Sequence, residues 1–158
     1  MKKATLITAM LLWAVTSFAQ DIPEAQVPPA IVSSFKKEFA NATDVKWEKK
    51  QDAYTVKFDI GAVDHKAWLD NAGKIVKHKT DIKESELPAA VTATLKKEYS
   101  NYKVSGVNKV QEGNTITYEM DLKNDTEKWE TVFGGDGKVV KKKKSDKPAK
   151  AAKKKASS

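Results

Sequence analysis

Two histidines, His65 and His78, are the only imidazoles in the chain, and there is no cysteine. Neither histidine belongs to an HExxH pattern, the two are not at metal-ligand spacing, and no third ligand lies nearby in sequence. The spacing predicts structural imidazoles, His65 on the inward side of a strand and His78 near a strand end. Without cysteine there is no thiol nucleophile, disulfide, thiolate-bound zinc or cysteine-linked lipid. Asp59 and Asp121 are matching strand positions. Paired carboxylates do acid–base work when they are close, but alternation with lysine is also what a wet sheet face looks like. Gly134-Gly135-Asp136-Gly137-Lys138 has the composition of a phosphate-cradling loop and lacks the helix N-terminus that would supply the donors. It reads as a hairpin. The serines have no His/Asp companions at recognisable spacing. The expectation is a non-enzyme with no catalytic residue, metal ligand or cofactor.

Binding chemistry is better represented. Trp68 falls on the polar side of a strand, and a large aromatic there is a candidate anchor for a protein partner. The alternative is that it covers a gap at the sheet edge or between units. Lys57, Asp59, Lys66, Glu119 and Asp121 would form its rim. At the other end, residues 141–158 are low-complexity and lysine-rich. Lys141, Lys142, Lys143, Lys144, Lys153, Lys154 and Lys155 are candidates for an anionic surface or polymer, and a solubilising tail is the alternative. All 29 basic residues are lysine, so any such attraction would be unspecific and salt-sensitive. The tail lacks aromatics for base stacking, and sequence-specific nucleic-acid binding is not expected.

Charge follows the same division. Residues 1–19 carry +2, residues 138–158 carry +9 and residues 20–137 carry −3, giving the net +8 of the 158-residue chain. The body is thus mildly acidic. Met1-Lys2-Lys3, the uncharged run Ala4 to Phe18, and Ser17-Phe18-Ala19 before Gln20 form a secretory signal with a small-residue cleavage site. The run falls short of the roughly 20 apolar residues a membrane span needs. The mature chain is expected to start at Gln20, periplasmic or secreted, with no transmembrane segment.

The elements that must position these residues come in two copies. Val27 to Phe39 matches Leu87 to Tyr99, Tyr54 to Ile60 matches Ile116 to Leu122, and Gly73 to Lys77 matches Gly137 to Lys141, in the same order. Each copy opens on a proline that suits a helix start. Ile31, Phe35 and Phe39, and then Val91, Leu95 and Tyr99, form apolar stripes at helical spacing. Four alternating runs follow in each. They are about 44–50, 53–60, 63–70 and 74–79, then about 103–111, 115–122, 126–133 and 138–143, with glycine-bearing turns between. Alternation sends Tyr54, Val56, Phe58 and Ile60, and Ile116, Tyr118, Met120 and Leu122, towards the helices. The fold class is α+β, a tandem repeat of helix plus four-stranded antiparallel sheet. The expected divisions are a signal peptide at 1–19, units at 20–82 and 83–144, and a disordered tail at 145–158. Units this small are marginal alone, so the two are expected to pack on each other.

The pattern Pro-x-x-Val/Ile before Phe/Leu-Lys-Lys-Glu-Phe/Tyr, then Asp44-Val45-Lys46-Trp47-Glu48, Tyr54-x-Val56-x-Phe58 and Asp70-Asn71-Ala72-Gly73-Lys74, resembles the PepSY-like, β-lactamase-inhibitor-like family of secreted bacterial proteins. The resemblance covers about 22–144. It is strong in the first unit and looser in the second, where Val107 stands in place of Trp47 and Val132 in place of Trp68. It implies the inhibitor-like fold and a binding role without catalytic residues, and it names no target. Two functions are expected from this. One is a secreted binding or inhibitor-like protein whose open sheet face contacts another protein. The other is an envelope protein held to an anionic surface by its lysine tail.

Overall fold

A computed structural model describes residues 20–50 and 53–145. The signal at 1–19 and residues 146–158, with Lys153, Lys154 and Lys155, lie outside the described residues.

The described residues form one nine-stranded antiparallel sheet with strand order equal to sequence order, and two α-helices. The strands are β1 (Gln20–Ile22), β2 (Thr43–Lys50), β3 (Ala53–Ile60), β4 (Val63–Asp70), β5 (Ile75–Asp81), β6 (Lys103–Glu112), β7 (Thr115–Lys123), β8 (Lys128–Gly134) and β9 (Val139–Lys144); the helices are α1 (Pro29–Glu38) and α2 (Ala89–Glu98). The repeated helix-plus-four-strand unit is present twice. The units do not stack face to face. They join edge to edge through β5 and β6, Lys77 opposite Glu112 and Asp81 opposite Asn108. Backbone pairing removes two open strand edges, each a row of unpaired donors and acceptors. The short strand β1 adds to the first unit by pairing with β2. Three residues hold too little alternation to be legible as a strand.

Each helix begins after a proline, Pro28 or Pro88, and covers its own four strands. Ile31 and Phe35 pack on Trp47, Val56, Phe58, Ala67 and Leu69, and Val91 and Leu95 pack on Met120, Leu122 and Phe133. The helix-side face of β3 is the predicted one. In β7 the apolar row overshoots its cover, and Ile116 remains 40% exposed. The expected strand at 126–133 begins instead at Lys128, because Asn124 Oδ1 accepts the N–H groups of Thr126 (3.0 Å) and Glu127 (2.9 Å) and holds a turn there.

A bulge interrupts β2 between Thr43 and Lys46 and recurs in β6 between Ser105 and Asn108. It places Asp44 at φ +50° and Gly106 at φ +59°. Aspartate is among the few side chains that accept this left-handed conformation.

The run expected at 138–143 is strand β9, which reaches Lys144, although residues 141–144 also begin the lysine-rich low-complexity stretch. They form most of β9 and pair with β8, Lys142 opposite Thr131 and Lys144 opposite Trp129. Lys142 Nζ lies 4.3 Å from the Trp129 ring centre and 4.9 Å from that of Tyr99. Composition suggested disorder, but a neighbouring strand and two aromatic faces supply the partners a free chain lacks.

Candidate functional site

Both helices lie on one side of the sheet, so among the described residues no helix covers the other side. Strands β2 to β5, with Glu119 from β7, line a concavity of about 600 Å³ on it. Trp68, Lys57, Asp59, Lys66 and Glu119 all line it. Asp121 lines the neighbouring hollow, together with Glu119 and Lys141. Strand alternation carries each of these side chains to the helix-free face, and strand pairing brings them into rows. Thr55 stands opposite Trp68 and Lys57 opposite Lys66, while Lys66 stands opposite Lys79.

The Trp68 ring is half-buried and flanked by ammonium groups, Lys66 Nζ at 5.1 Å and Lys77 Nζ at 5.3 Å from its centre. Both lie within cation–π range. Thr55, its cross-strand neighbour on β3, is only 6% exposed. Val110 and Asn108 are buried on the same face, at 2% and 7% exposure. The face is therefore less uniformly wet than alternation with charged residues implied.

Its charges are organised in pairs. Glu48 accepts a hydrogen bond from Lys57 and lies 3.8 Å from Lys66. The Lys57 hydrogen bond holds the Glu48 carboxyl below the usual carboxylate range, and the same bond raises Lys57. Lys66 is instead lowered, because burial penalises its charge. Lys79 Nζ donates to Glu119 at 3.0 Å, and Lys128 pairs with Asp121 at 2.7 Å. At the far end Asp59 stands opposite Asp64. Loss of solvent raises the Asp59 pKa, and the Asp64 carboxyl raises it further. Asp59 and Asp121 do not meet as an acid–base couple. They sit on β3 and β7, line different hollows, and answer to different neighbours.

Gly134–Lys138 is the expected hairpin, with the Gly137 N–H donating to Gly134 O at 3.0 Å and Gly134 N–H to Lys138 O at 2.9 Å. It cradles its own helix: Thr94 Oγ1 donates to Gly137 O at 2.9 Å.

On the helix side the structure does what sequence distance concealed. His65 and His78 are 13 residues apart. The β4–β5 hairpin sets His65 opposite Thr80 and His78 opposite Ala67, so both rings lie on one face. His65 Nδ1 and His78 Nε2 are 3.1 Å apart, with the rings 9° from parallel. Burial lowers the pKa of both, and His65 further lowers His78. Sequence spacing marked no metal-ligand pair, and the hairpin register brings the two rings together all the same. The only sequence signal was that Phe58, His65, Ala67 and His78 fall on the same face of three consecutive strands, β3 to β5. Among the described residues, no three His, Cys, Asp or Glu side chains converge as a metal-ligand group.

The family model described as "putative beta-lactamase-inhibitor-like, PepSY-like" matches twice, over residues 12–77 and 52–141. The chain belongs to this family. No curated protein matches it. Among solved structures it is similar to a BLIP-like protein from Bacteroides fragilis (22% identity, TM-score 0.67, covering 80% of this chain and 94% of that one). It is also similar to a protein from Bacteroides eggerthii described as periplasmic (22%, TM-score 0.70, 75% and 88%). A third is a DUF2874 family protein from Bacteroides uniformis (24%, TM-score 0.69, 74% and 88%). At these identities the likeness establishes the fold, a tandem PepSY-like repeat. No helix among the described residues is long and apolar enough to cross a membrane.

Proposed function

We propose that this chain is a periplasmic or secreted, non-enzymatic binding protein that docks another protein against the helix-free face of its sheet. The observation that carries this reading is the concavity around Trp68. It is open, about 600 Å³, and combines one large aromatic with ammonium groups seated at its ring. Aromatic anchors ringed by polar residues dominate protein–protein recognition. Lys57, Asp59, Lys66, Glu119 and Asp121 act as the polar rim, fixing the partner's orientation more than its affinity. The inhibitor-like family and the periplasmic description of a relative support the placement and the lack of catalysis. The test is capture of a binding partner from an envelope extract. Trp68→Ala should reduce capture at least about tenfold, since interface anchors cost 2 kcal/mol or more when truncated. Deleting residues 146–158 should leave it unchanged. Equal capture by Trp68→Ala and the parent refutes the reading.

A second reading has its own observation. Lys141 and Lys143 are exposed and make no ion pair among the described residues. They precede the further lysines of the tail, so strand and tail together could hold the protein to an anionic surface or polymer. Retention on heparin or anionic vesicles should then fall steeply between about 50 and 200 mM salt and be lost without residues 146–158. Salt-independent retention refutes it.

A further inference from the structure

Strand parity turns the imidazole pair towards the helix side of the sheet; His65 also borders the concavity, but neither ring is used in the function proposed above. Thr80 completes the pair. Its hydroxyl is 3.3 Å from His65 Nδ1 and 3.4 Å from His78 Nε2. With the 3.1 Å between the two nitrogens, the three atoms form a nearly equilateral triangle. The point equidistant from its corners lies about 1.9 Å from each. Bonds from a first-row transition metal to imidazole nitrogen are about 2.0–2.1 Å, so an ion slightly out of the triangle's plane reaches all three donors. We propose that His65 Nδ1, His78 Nε2 and Thr80 Oγ1 bind one imidazole-preferring transition-metal dication, of the Cu²⁺, Ni²⁺ or Zn²⁺ class.

Three further observations support the assignment. First, the rings are held in place by aromatic neighbours. His65 is 5.3 Å from the Phe58 ring and 16° from parallel, and His78 is 5.0 Å from Phe39. Second, all three donor residues are half-buried and none is sealed from solvent, so an ion and its remaining waters have access. Third, the fold does not require imidazoles here. Aligning the repeats on their equivalent turns, Asp70 to Gly73 and Gly134 to Gly137, puts Trp129, Lys142 and Lys144 at the places of His65, His78 and Thr80. The second unit fills the site with fixed cations over an aromatic ring, at 4.3 and 5.8 Å. The first unit has neutral lone-pair donors in the same place.

The ion is bound without oxidation or reduction. Before binding, one facing nitrogen carries the proton of an N–H···N hydrogen bond. On binding, that proton exchanges through solvent to the other nitrogen of its ring, and both facing lone pairs go to the metal. Two imidazoles and a weak hydroxyl leave the remaining positions to water, so Cu²⁺ should bind most tightly of the three. The carboxylates acting on this end are Asp59, Asp64 and Asp81, around His65. Lys109, across β6, opposes them at His78.

The test uses the secreted chain without a histidine tag. Calorimetric titration with CuSO₄ or ZnSO₄ should give one site. His65→Gln and His78→Gln should each weaken it by more than the roughly 10–100-fold that loss of an outer-shell partner costs, and Thr80→Val should weaken it less. The parent protein supplies a check that needs no variant to fold. In ¹⁵N-resolved NMR, Zn²⁺ should shift His65 Nδ1 and His78 Nε2 and leave the remote ring nitrogens as protonated pyrrole-type signals. Absence of a one-to-one site, binding unaltered in both glutamine variants, or imidazole signals unmoved by Zn²⁺ overturns the proposal.

Discussion

The two copies of the β-turn after the third strand of each unit give a controlled comparison. Gly73 has φ +82° and Gly137 φ +80°, so an alanine at either position incurs the same left-handed strain, about 1–2 kcal/mol. What each methyl group would meet differs. At Gly73 the nearest atom is Ser34 Oγ at 2.9 Å, the end of a side chain that can rotate away, with the Ala30 carbonyl at 3.4 Å. At Gly137 the nearest atoms are the Ala90 carbonyl oxygen at 2.5 Å and its carbon at 2.7 Å, which are helix backbone. Relief there requires the turn and α2 to separate. Overpacking of this kind adds about 1–3 kcal/mol. Gly73→Ala should therefore cost about 1–2 kcal/mol and Gly137→Ala about 2–5 kcal/mol. For a body of this size each kcal/mol is about 3–5 °C of melting temperature. Urea unfolding followed by tryptophan fluorescence measures both. A double-mutant cycle sharpens the test. Thr94→Ala removes the side-chain atom 3.0 Å from the Gly137 methyl position and should recover almost nothing, because the backbone obstacle remains. Equal losses for the two glycine variants, or recovery of half the Gly137→Ala loss by Thr94→Ala, would refute the reasoning.

Two further outcomes follow from side-chain environments. His65 and His78 have folded-state pKa values below the ordinary imidazole value. The unfolded chain therefore binds more protons than the folded one below about pH 6.5. Their contribution is complete above that pH and is lost as the pH falls from there towards the folded values. Melting temperature should drop across this window in the parent, measured in EDTA, and drop less when both are replaced by glutamine. On β9, Lys142 lies over Trp129 and Tyr99, whereas Lys141 lines an open hollow. Lys142→Ala should cost about 1 kcal/mol and Lys141→Ala close to nothing, by the same denaturation assay. Equal effects would refute the distinction.

Much of the fold was legible because it depends on local regularities. A proline opening each helix, apolar residues at i and i+4, period-two alternation and glycine turns all act within a few residues. They marked both helices, eight strands and the side that the two middle strands of each unit turn to their helix. Repetition gave a second, independent statement of the same pattern. The candidate face was legible for the same reason: Trp68, Lys57, Lys66 and Asp59 share strand parity, and parity decides the face.

What tertiary structure decided were relations between segments that carry no local signature. The edge-to-edge joining of β5 with β6 depends on two backbone edges finding each other, which leaves no mark in side-chain pattern. The run at 138–143 was legible as a strand, but the seating of Lys142 against the Trp129 and Tyr99 rings depends on its pairing with β8. The meeting of His65 with His78 and Thr80 depends on the exact register of the β4–β5 hairpin, where one residue of slip would send a ring to the opposite face. The amino-acid sequence by itself determined the repeated units and the faces of their strands, because those follow from periodicity. Which distant side chains became neighbours was settled only by register and strand pairing.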